Sequence, residues 1–142
     1  MKHRKNTAFF VEALLLTLFV LALSAVLVRL FAAARMRSAQ AEALTAAQQI
    51  AQNVSESFYA SDSAEQFWQL AGISEPPADG QPVSLTVDAQ GLPDPIGAYF
   101  LELTLEQTSS DAGQMARLTL RLADSGGQPL YEGTFDHYLP GA

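Results

Sequence analysis

The side chains best suited to hold metals or to move protons near neutral pH are fifteen carboxylates and two histidines, with no cysteine among the 142 residues. Absence of cysteine excludes a disulfide framework and any thiolate metal site, so the folded part must be held by its own packing. His3 belongs to a basic N-terminal tail, which leaves His137, at the end of a strand-like segment, as the one imidazole of the C-terminal region. A lone histidine in that place reads as structural. Ser109-Ser110-Asp111 reads as turn chemistry, and the scattered acids as solvated surface. No glycine-rich phosphate loop, no metal-spaced His or carboxylate series and no activated nucleophile is visible, so the expectation is a non-catalytic chain without cofactor or metal.

One carboxylate stands apart. Glu12 lies inside an apolar run from Ala8 to Val28 that is interrupted otherwise only by Thr17 and Ser24. About 20 apolar residues suffice to cross ~30 Å of hydrocarbon. A carboxylate at such a depth costs about 2.5–3.5 kcal/mol unless it finds a partner or reaches the headgroups. Two readings follow: Glu12 pairs with a specific group, or it sits within a turn of the interface and protonates or snorkels without specific purpose.

Charge divides the chain at the same place. Residues 1–37 carry six Lys/Arg against Glu12, or +5, and residues 38–142 carry fourteen acids against Arg117 and Arg121, or -12; the sum is the net -7. Lys2, Arg4 and Lys5 before the span favour a cytoplasmic N-terminus, whereas Arg29, Arg35 and Arg37 after it oppose that bias. An acidic domain is repelled by nucleic acid and by anionic surfaces, so nucleic acid is not an expected partner.

The segment Lys2-His3-Arg4-Lys5-Asn6-Thr7, followed by Ala8-Phe9-Phe10-Val11-Glu12, resembles the N-terminus of type IV pilins and type II secretion pseudopilins. In that family a basic leader ending in glycine is cut before a Phe-like residue, and glutamate is the fifth mature residue. If Ala8 is the first mature residue, Glu12 is fifth and Thr7 occupies the glycine position; if Phe9 is first, Glu12 is fourth. The resemblance implies cleavage near Thr7, Ala8 and Phe9. It also implies a role for Glu12 in assembly, by pairing with the new N-terminal amine of a neighbouring subunit. Implied partners are the membrane, other pilin-like subunits, a prepilin peptidase, an assembly ATPase and a platform protein of a type IV pilus, competence or type II secretion apparatus. The expected location is the cell membrane, single-pass, with the C-terminal domain extracytoplasmic.

Other readings of the same residues stay open. A secretory signal could end at Ala32-Ala33-Ala34, although the run is long for one and Arg29 intervenes. An uncleaved signal anchor bearing an acidic binding or sensing domain fits the same residues without prepilin chemistry and is the main rival. An anchored enzyme would need a site that no residue pattern supplies.

The elements that position these groups follow from periodicity. No Gly or Pro occurs between residues 8 and 59, and Leu44, Ala47, Ile50 or Ala51, Val54 and Phe58 recur three or four apart, so a single long helix is predicted, apolar first and amphipathic later. A stalk or coiled-coil helix would show a similar stripe. Asp62 with Glu65 predicts a capping box for a short helix through Trp68 that stops at Gly72. The expected divisions are a leader-like tail over 1–7, a transmembrane helix over 8–34, the amphipathic and short second helices over 35–72, a connector over 73–82, and a sheet over 83–142.

Alternation marks four strands, around Val83–Asp88, Tyr99–Glu106, Ala116–Leu122 and Tyr131–Asp136, separated by turn signals at Gln90 to Gly97, Ser109 to Gly113 and Gly126-Gly127. A two-residue turn at Gly126-Gly127 would set Arg121 opposite Glu132 and Arg117 opposite Asp136; the preceding hairpin would set Glu106 against Arg117 and Glu102 against Arg121. Each arginine then lies between two acids on the outer face. Gly133 falls inward, where a missing side chain would admit the helix. The fold class expected is α+β: a long N-terminal helix packed on a four-stranded antiparallel meander.

Overall fold

The computed structural model describes residues 2–111 and 113–139, without side-chain detail for residues 2–6 and 110. The side chains of Lys2, His3, Arg4 and Lys5, and residues 140–142, thus lie outside the described residues. Helix α1 (Lys2–Tyr59) is followed by α2 (Ala64–Leu70) and strands β1 (Pro82–Val87), β2 (Tyr99–Ser110), β3 (Gly113–Asp124) and β4 (Pro129–Leu139). The chain is α+β, with one long N-terminal helix packed on a four-stranded antiparallel sheet of order β1-β2-β3-β4. Two compact units divide it, Met1–Ala41 and Glu42–Ala142.

The described residues of the first unit are all helical, and α1 already begins at Lys2, so tail and apolar run share one helix. The run makes α1 long and apolar enough to cross a membrane. Its two hydroxyls are consistent with that: Thr17 Oγ1 donates to the Ala13 carbonyl at 2.8 Å and Ser24 Oγ to the Val20 carbonyl at 2.8 Å. A back-bonded hydroxyl needs no partner from outside the helix.

The second unit is built on the amphipathic end of α1. Ala47, Ile50, Ala51 and Phe58 are buried against Leu101, Leu103 and Leu105 of β2 and Leu118, Leu120 and Leu122 of β3 in one core cluster. Leu44, in phase with this stripe, is 43% exposed, so the buried face starts at Ala47. Phe67 and Trp68 of α2 complete the core.

The cap of α2 differs from the expected one. Ser63 is the N-cap and accepts from the Gln66 amide at 3.2 Å, while Gln66 Oε1 accepts from the Asp62 amide at 2.8 Å. The cap is therefore Ser63 with Gln66, one residue beyond Asp62/Glu65, and the Gln66 side chain returns to the amide of Asp62, just before the cap. At the other end Gly72, at φ +80°, donates to Gln69 O, and Ile73 donates to Trp68 O. This 5→2 and 6→1 pattern closes the helix as a glycine in the left-handed region allows.

The β3–β4 turn also differs, yet leaves the register where the charges want it. Asp124 and Gln128 close a three-residue loop, Ser125-Gly126-Gly127, with Gly127 at φ +79°. A register shift between Leu122 and Ala123 then absorbs one residue, because Ala123 pairs with Pro129 but Leu122 with Tyr131. A longer loop plus a bulge gives the same pairing as a two-residue turn without one. At the β2–β3 end both strands run further than alternation suggested: Ser109 and Ser110 are in β2 and Gly113 opens β3, leaving Asp111 in the turn and residue 112 outside the described residues.

The nearest neighbour of Gly133 is a side chain of its own strand. A Cβ there would meet the Tyr131 ring, 2.8 Å from its Cε1, so the tyrosine two residues back along β4 lies over the glycine.

Candidate functional site

Two constellations carry the charged residues singled out above, one on each unit. On the helical unit Thr7, Ala8 and Phe9 are helical, and Phe9 packs edge-on against Phe10 with centroids 6.3 Å apart. Glu12 shares one helix face with Ala8, Val11, Leu15, Phe19 and Ala22. The face is apolar apart from Thr7 and Glu12, and the carboxylate is exposed on it. Such a face offers one anionic acceptor amid hydrocarbon. Glu12 is the one ionisable side chain lining it among the described residues, an arrangement that suits a cationic or hydrogen-bond-donating partner.

On the sheet, Glu106 pairs with Arg117 and Arg117 with Asp136, while Glu102 pairs with Arg121 and Arg121 with Glu132. The Arg117–Asp136 pair is bidentate: Nε to Oδ1 at 2.8 Å and Nη2 to Oδ2 at 3.3 Å. Arg121 reaches both neighbours, Glu132 Oε1 at 3.1 Å through Nε and Glu102 Oε1 at 3.5 Å through Nη1. Glu106 acts on Arg117 only as a more distant attraction. A row Thr104-Thr119-Thr134 separates the two ionic rows. All of these side chains are solvated, so the pairs choose register and add little stability.

The Arg117 guanidinium, by hydrogen bonding first and by its charge after, holds the Asp136 carboxyl below its ordinary value of 3.8. The pair raises Arg117 in turn, again chiefly through the hydrogen bond. With the folded-state value of Asp136 depressed, its contribution is fully present above the ordinary carboxylate range and is lost as pH falls through the folded value, in the acid region below about pH 4. In a carboxyl-detected NMR titration Asp136 should titrate below a typical aspartate. Arg117→Gln should move it upward; an unmoved midpoint would mean that the ion pair is not formed in solution.

His137 sits at an aromatic corner between β4 and the end of α1. Its ring lies edge-on to Phe58 and Tyr59 at centroid distances of 5.6 and 5.5 Å, and Nε2 is 3.3 Å from the Ser61 carbonyl oxygen. It ties β4 to the end of α1.

Several acids are structural. Asp88-Ala89-Gln90-Gly91, Asp94-Pro95-Ile96-Gly97 and Asp124-Ser125-Gly126-Gly127 are three copies of an Asp-x-x-Gly turn. In each, the glycine amide donates to the aspartate carbonyl, at 3.1, 3.0 and 2.9 Å. In each, Oδ1 also accepts from the amide two residues on, at 2.9, 3.0 and 2.9 Å. Asp79 Oδ1 accepts from the Gln107 amide at 2.8 Å and fastens the connector to β2. The spacing was the available signal: an aspartate three before a glycine is an Asx turn in waiting. The first two turns fold the β1–β2 loop onto α1, where Asn53 Nδ2 donates to Gln90 O at 3.1 Å. Gly97 there passes so close to β1 that a Cβ would lie 2.2 Å from the Val87 carbonyl oxygen.

A groove of about 280 Å³ between this loop, α2 and α1 is lined by Val54, Phe67, Leu70, Leu92 and Leu103, with Asn53 already committed to Gln90. Nothing in it converges as an acid, base and nucleophile would. Among the described residues no three His, Asp or Glu side chains gather at metal-binding distance. No protein-family model matches the chain, and neither a curated protein nor a solved structure matches it at a significant level.

Proposed function

We propose that this chain is a non-catalytic, pilin-like subunit, a pseudopilin or minor pilin. Its apolar helix lies in a membrane with the N-terminus cytoplasmic and the α+β unit outside. In an assembly of the type IV pilus, competence or type II secretion kind, the helix packs with those of other subunits and Glu12 meets a neighbour's N-terminal amine. The observation that carries this reading is a single acid on an otherwise apolar face, near the start of an unbroken helix that ends as the backing of a four-stranded meander. A prepilin peptidase, an assembly ATPase and a platform protein are the corresponding partners.

A second reading is an uncleaved single-pass protein with an acidic binding or sensing domain. Thr7 at the place of the leader glycine favours it. Intact-mass measurement of the chain recovered from its native membrane separates the two. A loss of seven or eight N-terminal residues is expected for the pilin-like subunit, and a chain that keeps the tail counts against it.

A further inference from the structure

Arg29, Arg35 and Arg37 follow directly on the apolar run and are exposed. At 100° per residue they stand at about 0°, 240° and 80° around the helix, so no half of its circumference lacks a guanidinium, and they span a rise of about 12 Å. Between them Leu30, Phe31 and Met36 are 60%, 72% and 75% exposed. The two arginines of the Glu42–Ala142 unit are both engaged in ion pairs with its own acids. The collar is therefore the cationic surface closest to the point where a -12 domain leaves the membrane.

We infer that Arg29, Arg35 and Arg37 form a binding collar for the phosphates of anionic phospholipids, in the leaflet toward which the chain continues. The inference rests on α1 crossing a bilayer. An apolar run beginning at Ala8 reaches the far hydrocarbon boundary about 20 residues on, which puts Arg29 at the boundary and Arg35 and Arg37 at or just beyond the headgroups. Guanidinium matches phosphate oxygens in bidentate geometry. Lipid suits the collar better than an acidic protein for two reasons. A protein would approach from one side and leave part of the ring unmatched, and the interleaved Leu30, Phe31 and Met36 need an amphipathic surround at the same depth. The collar also offsets the repulsion between the acidic domain and an anionic leaflet.

The test uses the full-length chain in bilayer discs of phosphatidylglycerol and phosphatidylcholine in equal parts, with native mass spectrometry counting the lipids retained. Wild type should retain phosphatidylglycerol preferentially, and preference should fall about five-fold for each arginine changed to glutamine. The Arg117→Gln/Arg121→Gln control should retain wild-type preference. Unchanged preference in Arg29→Gln/Arg35→Gln/Arg37→Gln overturns the collar, as does equal retention of both lipids by wild type. Displacement of phosphatidylglycerol by excess inorganic phosphate would make it a free-anion site. A triple variant that loses self-association but keeps its lipids would assign the collar to the acidic domain of a second copy. Carbonate extraction is run on the same samples: release of wild type defeats the spanning reading and the collar with it, whereas retention alongside unchanged lipid preference defeats the collar alone.

Discussion

Replacing Phe58 by alanine is expected to destabilise the Glu42–Ala142 unit by about 3–5 kcal/mol, the usual cost of deleting a fully buried phenyl ring. Phe58 is 1% exposed and stands where α1 ends. Its ring meets Phe67 of α2 edge-on at 5.4 Å and His137 of β4 at 5.6 Å, so one side chain joins both helices to the last strand. The cavity cannot collapse easily, because α1 is held on the same face about two turns earlier by Ile50 and Ala51 in the same core. A domain of this size has about 5–15 kcal/mol in total, so the loss should lower the melting temperature on the order of 20 °C. Trp68 is the single tryptophan, is 3% exposed and lies 5.1 Å from Phe67, which makes its fluorescence a direct reporter of this corner. Urea unfolding of the full chain in detergent, followed at Trp68, measures the change. Phe100→Ala, at a side chain 47% exposed, should cost under about 1 kcal/mol. Equal midpoints for the two variants would show that the corner is not packed as described.

The strands and their register were legible because two independent signals agree on them. Alternation sets which face is inward, and the two arginines, each flanked by acids, set the offset between strands. The turn was not legible in the same way. Gly126-Gly127 has the composition of a two-residue hairpin, but Asp124 captures the Gly126 and Gln128 amides and opens the loop by one residue. Pairing energy beyond the bulge restores the register, so the correct pairing followed from an incorrect turn. The cap of α2 shows a similar limit: Asp62/Glu65 and Ser63/Gln66 have equivalent spacing one residue apart, and local pattern does not rank them. Reading the acids as solvated surface overlooked Asp79, Asp88, Asp94 and Asp124, whose carboxylates organise loops by accepting backbone amides. For Glu12 the sequence identifies the residue and its apolar face, and the partner proposed for it belongs to a second chain.

Glu12→Ala is expected to produce two effects of opposite sign, and their combination separates an assembly role from incidental placement. Membrane insertion should become more favourable by about 2.5–3.5 kcal/mol, because a carboxylate is removed from hydrocarbon. Incorporation into assemblies should fall. If Glu12 pairs with a neighbour's amine, deleting it strands a buried charge, and breaking such a pair costs about 3–5 kcal/mol, or roughly two to three orders of magnitude in association. Glu12→Gln keeps the size and a hydrogen-bond acceptor without the charge, so it should insert less readily than the alanine variant, because the amide still lacks a partner in hydrocarbon, and assemble poorly. Trp68 fluorescence should be the same in all three proteins, since residue 12 belongs to the helical unit and not to the core around Trp68. The measurements are the fraction of chain resisting carbonate extraction and the fraction recovered in sheared, pelleted assemblies. Assembly by the glutamine variant at wild-type level would mean that the charge is not used. Undiminished assembly by both variants would leave Glu12 as an interfacial acid, and the case for a pilin-like subunit would then rest on the long helix and its meander alone.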